Sequence, residues 1–362
     1  MTSVQIAPFT PYPVQFSRYD SPINLKFSLK TPVQFLPSFS TAAKYQHTHH
    51  SNPTNPVQSS PKTKISIQSN PKSKTLQTET SVQPNSRNKT RRQEDGIPTE
   101  DIQIIAKFKS RYNYIRVLEV SRKVDHPLAG SRLLLLDDPG NIHSISFSHK
   151  LLTNTYFDVF ATLPPILPPG PVAILGFGAG SAARLILELY QNGRVHGWEL
   201  DPSVIAVGRK YFGLERLERD FSDRLFIYIG NALSLESYVR DGFSGILVDL
   251  FSKGSVIPEL QDPNTWEEFT RCLRKGGRIM VNVGGRCVEA EDKRRDGAVV
   301  MQDTLKAMHQ VFGDNLFVLS LGSQNDDSTI ALTGELPDLD AWKSVVPRSL
   351  RFYMDMWTPY SS

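Results

Sequence analysis

Three glycines at alternate positions lie between an apolar run and a helical one. They are Gly176, Gly178 and Gly180, in the segment AILGFGAGSAAR. Glycine allows a tight strand-to-helix bend and lets a ligand approach backbone N–H groups, and the following helix directs its positive N-terminus toward an anionic group. Glycine turns also serve packing alone, so this signal needs support from elsewhere in the sequence.

An acid follows the glycine turn at the distance that a nucleotide site requires. Glu199 closes the next apolar run, RVHGWEL, 23 residues after Gly176. At the end of a second strand, its carboxylate could accept both hydroxyl protons of a ribose. The alternative is a solvated acid at a strand end, but the preceding glycine turn favours ribose binding. The two features together suit NAD as well as an adenosylmethionine-type ligand.

Two later segments place polar residues at strand ends. Asn231 and Ala232 follow the third run in GNAL, and Asn231 could hydrogen-bond an adenine edge there. Asp249 ends the fourth run in LVDLF. Carboxyl ends of parallel strands line the crevice where ligands bind, so we expect Asp249 to face the reactive end of the ligand. The alternative for Asp249 is a turn acid or a helix N-cap.

The elements that must position these residues alternate between strand and helix after Gly170. Repeated βα units with apolar strands predict a mostly parallel sheet covered on both faces. The predicted strands are residues 171–178, 194–200, 224–230, 245–250 and 278–284. The predicted helices are residues 181–190, 202–212, 265–275 and 298–312, the third capped by Gly276-Gly277. Residues 316–320 and 329–334 are close enough to pair antiparallel, an ending typical of methyltransferase-type sheets.

The chain divides into four parts. Residues 100–150 are predicted to form a small β subdomain, in which YNYIRVLEV is a strand and Pro139-Gly140 joins a β-hairpin. Residues 151–340 form the nucleotide-binding domain, beginning with a helix at 151–163. Residues 341–362 are a C-terminal tail. Residues 1–95 are a leader rich in Ser, Thr, Pro, Gln and Asn, without regular periodicity.

The leader is predicted to be disordered and resembles an organelle transit peptide, because it is N-terminal, hydroxyl-rich and almost free of acids. A plastid destination is favoured over a mitochondrial one, since early prolines oppose an amphipathic presequence helix. An untargeted tail is the alternative. The first 90 residues hold ten basic and two acidic side chains, so the remaining residues are net acidic despite the pI near 8.9. Neither nucleic-acid binding nor a membrane span is therefore indicated, and two cysteines cannot form a multi-thiolate metal site.

A series of motifs extends over about residues 100–335 in a definite order and spacing. They are YNYIRVLEV, SRLLLLDD, the glycine turn, WELDPSVIAVGRKYF, RLFIYIGNA, ILVDLF and LRKGGRIMVNV. The series resembles spermidine synthase and its relatives, the polyamine aminopropyltransferases, within the class I S-adenosylmethionine-dependent methyltransferase superfamily. The resemblance implies an α/β, Rossmann-like methyltransferase fold with an antiparallel final strand, preceded by a small β-rich subdomain. It also implies S-adenosylmethionine or its decarboxylated form as cofactor, and a homodimer.

The resemblance assigns roles to the polar residues at the strand ends. Glu199 would bind ribose, Asn231 would replace an adenine-contacting acid, and Asp249 would help deprotonate the attacking amine. Several family residues differ here: Ala179 replaces an acid in the glycine turn, and Ser252 replaces a second acid after Asp249. His149-Lys150 replaces a Tyr-Gln pair, and Asn113 replaces a Gln.

These departures remove acids that would recognise a diamine and leave Asp249 with Lys150 nearby. The leading hypothesis is therefore a transferase that moves a methyl group from S-adenosylmethionine to a small acceptor, for which an amine is one candidate. Aminopropyl transfer from decarboxylated S-adenosylmethionine is the close alternative, and Ala179 separates the two by leaving room for a donor carboxylate. A non-catalytic nucleoside-binding or interaction protein and an NAD-dependent oxidoreductase are the other classes.

Overall fold

The computed structural model describes residues 27–28, 96–137, 141–234, 239, 241–285, 292, 296–322 and 328–361. The predicted leader lies outside these residues apart from β1 (Phe27–Ser28), which pairs antiparallel with β2 (Gly96–Ile97). No helix in these ranges is both long and apolar enough to cross a membrane.

The N-terminal β subdomain is an antiparallel sheet in which each strand pairs with the next. Its strands are β3 (Ile102–Lys109), β4 (Tyr114–Val120), β5 (Ser131–Leu135) and β6 (Ile142–Phe147). Strands β5 and β6 form the predicted hairpin, whose Pro139-Gly140 turn lies outside the described residues. The sequence did not predict β3, because this edge strand is largely exposed and lacks a clear apolar pattern.

The central sheet has eight strands in the order β16-β14-β15-β13-β10-β7-β8-β9. Five neighbouring strands are parallel, and β15, β14 and β16 are antiparallel, as the methyltransferase-type ending predicts. The strands are β7 (Val172–Leu175), β8 (Val195–Glu199), β9 (Leu225–Ile229), β10 (Phe243–Val248), β13 (Leu273–Asn282), β14 (Leu316–Ser320), β15 (Thr329–Thr333) and β16 (Thr358–Pro359). A two-stranded ribbon, β11 (Phe251–Ser252) and β12 (Ser255–Val256), follows β10.

The strand order creates one point at which the chain reverses direction across the sheet. From β7 the chain continues to β8 and β9 on one side, and then returns to place β10 on the other side of β7. In open α/β sheets, ligands bind in the crevice at the carboxyl ends of strands around such a switch point. The residues after β7, β8 and β10 meet there.

Alternate residues of the central strands enter separate apolar clusters on the two faces of the sheet. Ile174 packs on one face with the buried helix residue Phe160, whereas Ala173 and Leu175 pack on the other with Trp266. The predicted two-sided covering of the sheet is confirmed.

Seven α-helices lie in the described residues: α1 (Tyr156–Phe160), α2 (Ser181–Leu189), α3 (Pro202–Tyr211), α4 (Leu214–Asp220), α5 (Pro263–Arg271), α6 (Gly297–Phe312) and α7 (Leu339–Val345). Helices α2, α3 and α6 agree with the predicted ranges to within one residue. The side chain of Asp201 caps α3 by accepting from Ser203 N, and Pro202 occupies the first helical position, where its missing N–H costs nothing. The described residues also include the 3-10 segments Thr99–Asp101, Pro164–Ile166, Pro258–Gln261 and Arg348–Met356.

The helix predicted at 151–163 is much shorter in the structure. The buried carboxylate of Asp158 accepts hydrogen bonds from Thr153 N, Thr153 Oγ1 and Asn154 N, at 2.8, 2.7 and 2.8 Å. Asn154 also has a positive φ of 58°. These contacts fix a turn ahead of α1, and Pro164 follows closely, so only one helical turn forms between them.

The prediction that Gly276-Gly277 caps the helix is wrong. Helix α5 ends at Arg271, and Leu273 already pairs with Phe243 as the start of β13. Regular pairing with β10 resumes at Arg278. The two glycines lie between Leu273 and Arg278, where the pairing of β13 with β10 shifts register, and Gly276 takes a φ of 78°.

The predicted C-terminal tail is an integral part of the fold. Trp342 in α7 is buried, donates from Nε1 to Thr162 O at 2.8 Å, and stacks on Trp357 at 6.4 Å between centroids. Thr358 in β16 pairs with Val318. The aromatic residues of this segment were the signal that it packs on the domain.

Candidate active site

The three glycines of the turn have backbone conformations that favour glycine, and two of them lie too close to neighbouring segments to carry a Cβ. Gly176, Gly178 and Gly180 have φ values of 84°, 57° and 89°. A Cβ on Gly176 would lie 2.1 Å from the backbone oxygen of Asp249, and one on Gly178 would lie 2.6 Å from Ser144 Oγ. The turn is therefore pressed between the end of β10 and strand β6 of the N-terminal subdomain.

The backbone N–H groups of residues 176–180 all donate to protein oxygens. The first two donate to Trp198 O, at 3.1 and 2.8 Å, and the last donates to Phe177 O at 3.1 Å. Gly178 N donates to Glu199 Oε2, and Ala179 N donates to Ser144 Oγ, both at 2.9 Å. The turn thus holds Glu199 through Gly178 N, and contact of a ligand with the glycine turn stays a prediction.

Glu199 is a buried carboxylate, 8% exposed, whose two oxygens are fixed by separate amides. Oε2 accepts from Gly178 N at 2.9 Å and Oε1 accepts from Asp201 N at 3.0 Å. A carboxylate has about four lone-pair positions. Two of them have no donor among the residues that the structure describes, one on each oxygen. Two neighbouring hydroxyl groups could occupy them.

Burial raises the pKa of Glu199 to about 7, and the charge of Asp201 acts in the same direction. The hydrogen bonds from the Asp201 and Gly178 amides and the charge of His143 oppose this shift. Desolvation disfavours the charged form, so further donors to the carboxylate would be favourable here.

Asp249 follows β10 and is held on both sides. Tyr156 OH, from α1, donates to its Oδ2 at 2.7 Å. Asn282 Nδ2, at the end of β13, donates to its Oδ1 at 3.0 Å, and Asn282 Oδ1 in turn accepts from Gly284 N. Sequence reasoning missed Tyr156 and Asn282. Asn282 ends β13, the strand next to β10, just as Asp249 lies at the end of β10. This equivalent position at a strand end was the sequence signal that could have identified Asn282.

A histidine and an aspartate from the N-terminal subdomain also reach this region. His143 Nε2 lies 3.1 Å from Oδ2 of the buried Asp137. Burial lowers the pKa of His143, but the hydrogen bond and charge of Asp137 and the charges of Asp249 and Glu199 raise it, with a net increase. Both residues were missed, because the hairpin that carries them has no sequence signal linking it to the glycine turn.

The remaining predicted residues lie at the same edge of the sheet. Gly230 N donates to Glu199 O at 2.9 Å and so places the next residue, Asn231, beside the end of β8. Asn231 is exposed, and its Oδ1 accepts from Leu233 N at 3.0 Å. Ala232 is buried in the core. Asn231 and Ala232 thus follow β9 beside the end of β8, and ligand contact at either residue stays a prediction.

A cavity of about 550 Å³ lies elsewhere, between β4, β6 and the helices α2 and α3. Side chains of both charges line it, including the ion pair of Arg132 and Glu119 at 2.7 Å. It contains none of the predicted site residues. Among the described residues, no cluster of three or more His, Cys, Asp or Glu is arranged to hold a metal ion.

The chain is similar to known aminopropyltransferases over part of its length. A probable polyamine aminopropyl transferase of Bifidobacterium longum is 24% identical over 176 residues, covering 48% of this chain and 36% of that protein. A polyamine aminopropyltransferase of Chromobacterium violaceum is 24% identical over 188 residues, covering 50% of this chain and 63% of that protein. The chain thus spans less than two thirds of either relative. No protein-family model matches it.

The fold comparison extends over more of the chain. A crystal structure of a probable spermidine synthase from Corynebacterium glutamicum matches with a TM-score of 0.50 and 18% identity, covering 72% of this chain and 97% of that one. The fold of the chain resembles that of a spermidine synthase, and about half of its sequence is similar to polyamine aminopropyltransferases. The fold predicted from the motif series is confirmed.

The residues at which this chain differs from the spermidine synthase pattern occupy definite positions in the structure. Ala179 is 2% exposed, and its Cβ would lie 3.5 Å from a Cβ on Gly208 of α3. Ala179 therefore packs against α3 and an apolar cluster, and room for a donor carboxylate beside it stays a prediction. Lys150 Nζ lies over the Phe147 ring at 3.9 Å, and burial lowers the Lys150 pKa.

The contacts of Lys150 do not bring it to Asp249; the acid whose charge acts on it is Asp158. Asn113 Nδ2 donates to Asp201 Oδ2 at 2.8 Å and so ties the N-terminal sheet to the start of α3. Ser252 lies in the exposed ribbon β11. Of these replacements, Asn113 connects the two sheets and Lys150 lies on Phe147, whereas Ser252 is exposed.

Proposed function

We propose that this chain is a transferase that binds S-adenosylmethionine at the switch point and passes its methyl group to a small acceptor, with an amine as the favoured class. The observation that carries the proposal is the carboxylate of Glu199, which two amides hold in place while one lone-pair position on each oxygen has no described donor. The hydroxyl groups of a ribose match these two positions in number and chemistry.

The other site residues support the same orientation of the donor. Asn231 follows β9 beside Glu199 and can meet the adenine edge, whereas Asp249 lies across the glycine turn with its carboxylate held by two side chains. When bound, the donor supplies a carbon attached to a positive sulfonium. A fixed carboxylate near that end stabilises and orients positive charge. For such a displacement the protein mainly aligns the reacting groups.

Aminopropyl transfer from decarboxylated S-adenosylmethionine is the second candidate. The similarity to polyamine aminopropyltransferases supports it. Position 179 argues against this candidate. In the family pattern an acid at this position would bind the amino group of the decarboxylated donor, whereas here the apolar Ala179 packs against α3. We therefore place methyl transfer first.

Calorimetric titration of the chain with both donors tests the proposal. We expect S-adenosylmethionine to bind more tightly than its decarboxylated form. Glu199→Ala should weaken binding roughly 100-fold or more, because two hydrogen bonds to a charged group are each worth about 1.5–3 kcal/mol. Glu267→Ala, which removes an exposed acid on α5, is the matched control and should leave affinity unchanged.

Each outcome of this titration decides between named alternatives. Tight binding of the decarboxylated donor alone would establish the aminopropyl candidate. Binding of NAD, with neither adenosylmethionine compound bound, would contradict the proposal in favour of an oxidoreductase. Binding of nucleosides by a chain that transfers no group to any class of acceptor would indicate a non-catalytic protein.

We also propose that the leader directs the chain to plastids and that the folded part forms a homodimer. The acid-poor, hydroxyl-rich composition of residues 1–95 supports the first point. Fusion of residues 1–70 to a fluorescent reporter tests it, and a cytosolic signal would contradict it. Sedimentation equilibrium of the folded part tests the second, and a monomeric mass would contradict it.

A further inference from the structure

Strand β6 lies directly against the glycine turn. The carbonyl oxygen of His143 lies 3.1 Å from the place that a Cβ on Gly178 would take. The backbone oxygen of Asp249 stands closer still to the place that a Cβ on Gly176 would take. The two glycines are two Cα steps apart, about 3.8 Å each. The backbones of His143 and Asp249 therefore both lie against this short stretch of chain, and the charge of Asp249 acts on the His143 ring.

The ring of His143 is held by a buried acid. Asp137 is 2% exposed, and its carboxylate accepts from Asn141 N and Nδ2 at 3.0 and 2.6 Å, besides its contact of 3.1 Å with His143 Nε2. In the neutral ring, a proton on Nε2 satisfies this contact and leaves the lone pair on Nδ1. Asp137 thus orients the His143 ring and favours the tautomer with its proton on Nε2.

The charges around His143 favour its protonated form. The titratable groups that act on it are Asp137 on its own subdomain and, across the glycine turn, Asp249 and Glu199. All three are carboxylates, so their combined effect outweighs the cost of burial and raises the His143 pKa. A base whose pKa lies near the working pH is the most effective proton acceptor.

Asp249 is less suited to accept a proton. Tyr156 OH and Asn282 Nδ2 donate to its two oxygens. Each oxygen of Asp249 therefore already accepts a hydrogen bond from a side chain. The His143 ring, by contrast, contacts Asp137 through Nε2.

We propose that His143, oriented by Asp137, is the base that takes the proton from the acceptor's attacking atom. This inference rests on the proposed transferase function. As the acceptor atom bonds to the donor carbon, the carbon–sulfur bond breaks and its electron pair stays on sulfur, giving a neutral thioether. The acceptor's proton passes to His143 and then to water. The acceptor class is a nucleophile that carries a proton, with an amine nitrogen favoured by the surrounding carboxylates.

NMR titration of the full chain labelled at histidine Cε1 tests the placement of His143 without relying on turnover. The His143→Gln variant assigns the signal. We expect Asp137→Asn to lower the His143 pKa by about one pH unit, because a buried hydrogen-bonded charge is lost. We also expect the His143 pKa to be lower, by a similar amount, with S-adenosylmethionine bound than with S-adenosylhomocysteine bound, since only the former carries a positive sulfur.

Equal His143 pKa values in the two complexes would overturn this inference alone, because the ring would then be remote from the sulfur. Failure of both compounds to bind would overturn the proposed function and this inference with it. The two failures are therefore distinguishable.

Turnover of S-adenosylmethionine with putrescine, spermidine and a set of simple primary amines tests the chemical role. We expect His143→Gln to lower kcat about 100-fold and to abolish the fall in kcat at acidic pH. Its affinity for S-adenosylhomocysteine should stay within threefold of the unaltered chain. His309→Gln on α6 is the matched control and should change neither quantity.

A kcat within threefold of the unaltered chain in His143→Gln would overturn the role as base. Transfer to none of these amines by the unaltered chain would overturn the acceptor class.

Discussion

The protonation of Glu199 makes a quantitative prediction for ligand binding. Its pKa of about 7 in the free protein reflects burial with only two amide donors. Ribose hydroxyls would donate to the ionised form and so lower this pKa in the complex. Binding must then release a proton whenever Glu199 is protonated beforehand, that is, at pH values below about 7.

The size of the effect follows from that release. Below pH 7, affinity should fall about tenfold for each pH unit until the lower pKa of the complex is reached. Between pH 7.5 and pH 5.5 we therefore expect a loss of roughly 30-fold. Above pH 7.5 the affinity should be constant, because Glu199 is already ionised.

Calorimetry with S-adenosylhomocysteine is the assay, since this ligand lacks the sulfonium charge that would also act on His143. Titrations at pH 6 in buffers of different ionisation enthalpy should show release of nearly one proton. Glu199→Gln should bind weakly and without this pH dependence. Affinity that stays constant from pH 5.5 to 7.5, with no proton release, would show that ligand binding does not lower the Glu199 pKa.

Four further results are expected. The folded state binds a proton at Glu199 more tightly than the unfolded chain does. Between pH 4.5 and 7, the free energy of unfolding of the unaltered chain should therefore fall by about 3 kcal/mol more than that of Glu199→Gln. An equal change with pH in both proteins, measured by urea unfolding, would contradict this. Gly176→Ala should destabilise by several kcal/mol, whereas Gly276→Ala, with open space around its Cβ, should cost only about 1 kcal/mol; equal losses in urea unfolding would contradict the close approach at the turn. Tyr156→Phe should lower turnover about tenfold and leave S-adenosylhomocysteine affinity within threefold by calorimetry, and unchanged turnover would remove Tyr156 from the site. Trp342→Ala should destabilise by about 3–5 kcal/mol, and an unchanged thermal unfolding temperature would show that the C-terminal segment does not support the fold.

The sheet could be predicted from the sequence because each central strand is an uninterrupted apolar run. Glu199 and Asp249 were found for the same reason, since each directly follows such a run. The lengths of α1 and α5 could not be predicted, because they depend on side-chain hydrogen bonds and on a register change in β13.

The partners of the site residues were not predictable in the same way. Tyr156 and Asp249 are 93 residues apart in sequence, and their contact depends on where α1 docks. His143 lies in the other sheet, whose position over the glycine turn no local pattern encodes. The contact of Ala179 with α3 likewise depends on how α3 packs, not on the composition of the turn.

The central claim is that Glu199 binds the sugar of an adenosine. A crystal structure of the chain with S-adenosylhomocysteine tests it most directly. We expect the 2′ and 3′ hydroxyl oxygens of the ribose to lie within hydrogen-bond distance of Glu199 Oε1 and Oε2. An adenosine bound with its ribose away from Glu199 would contradict it.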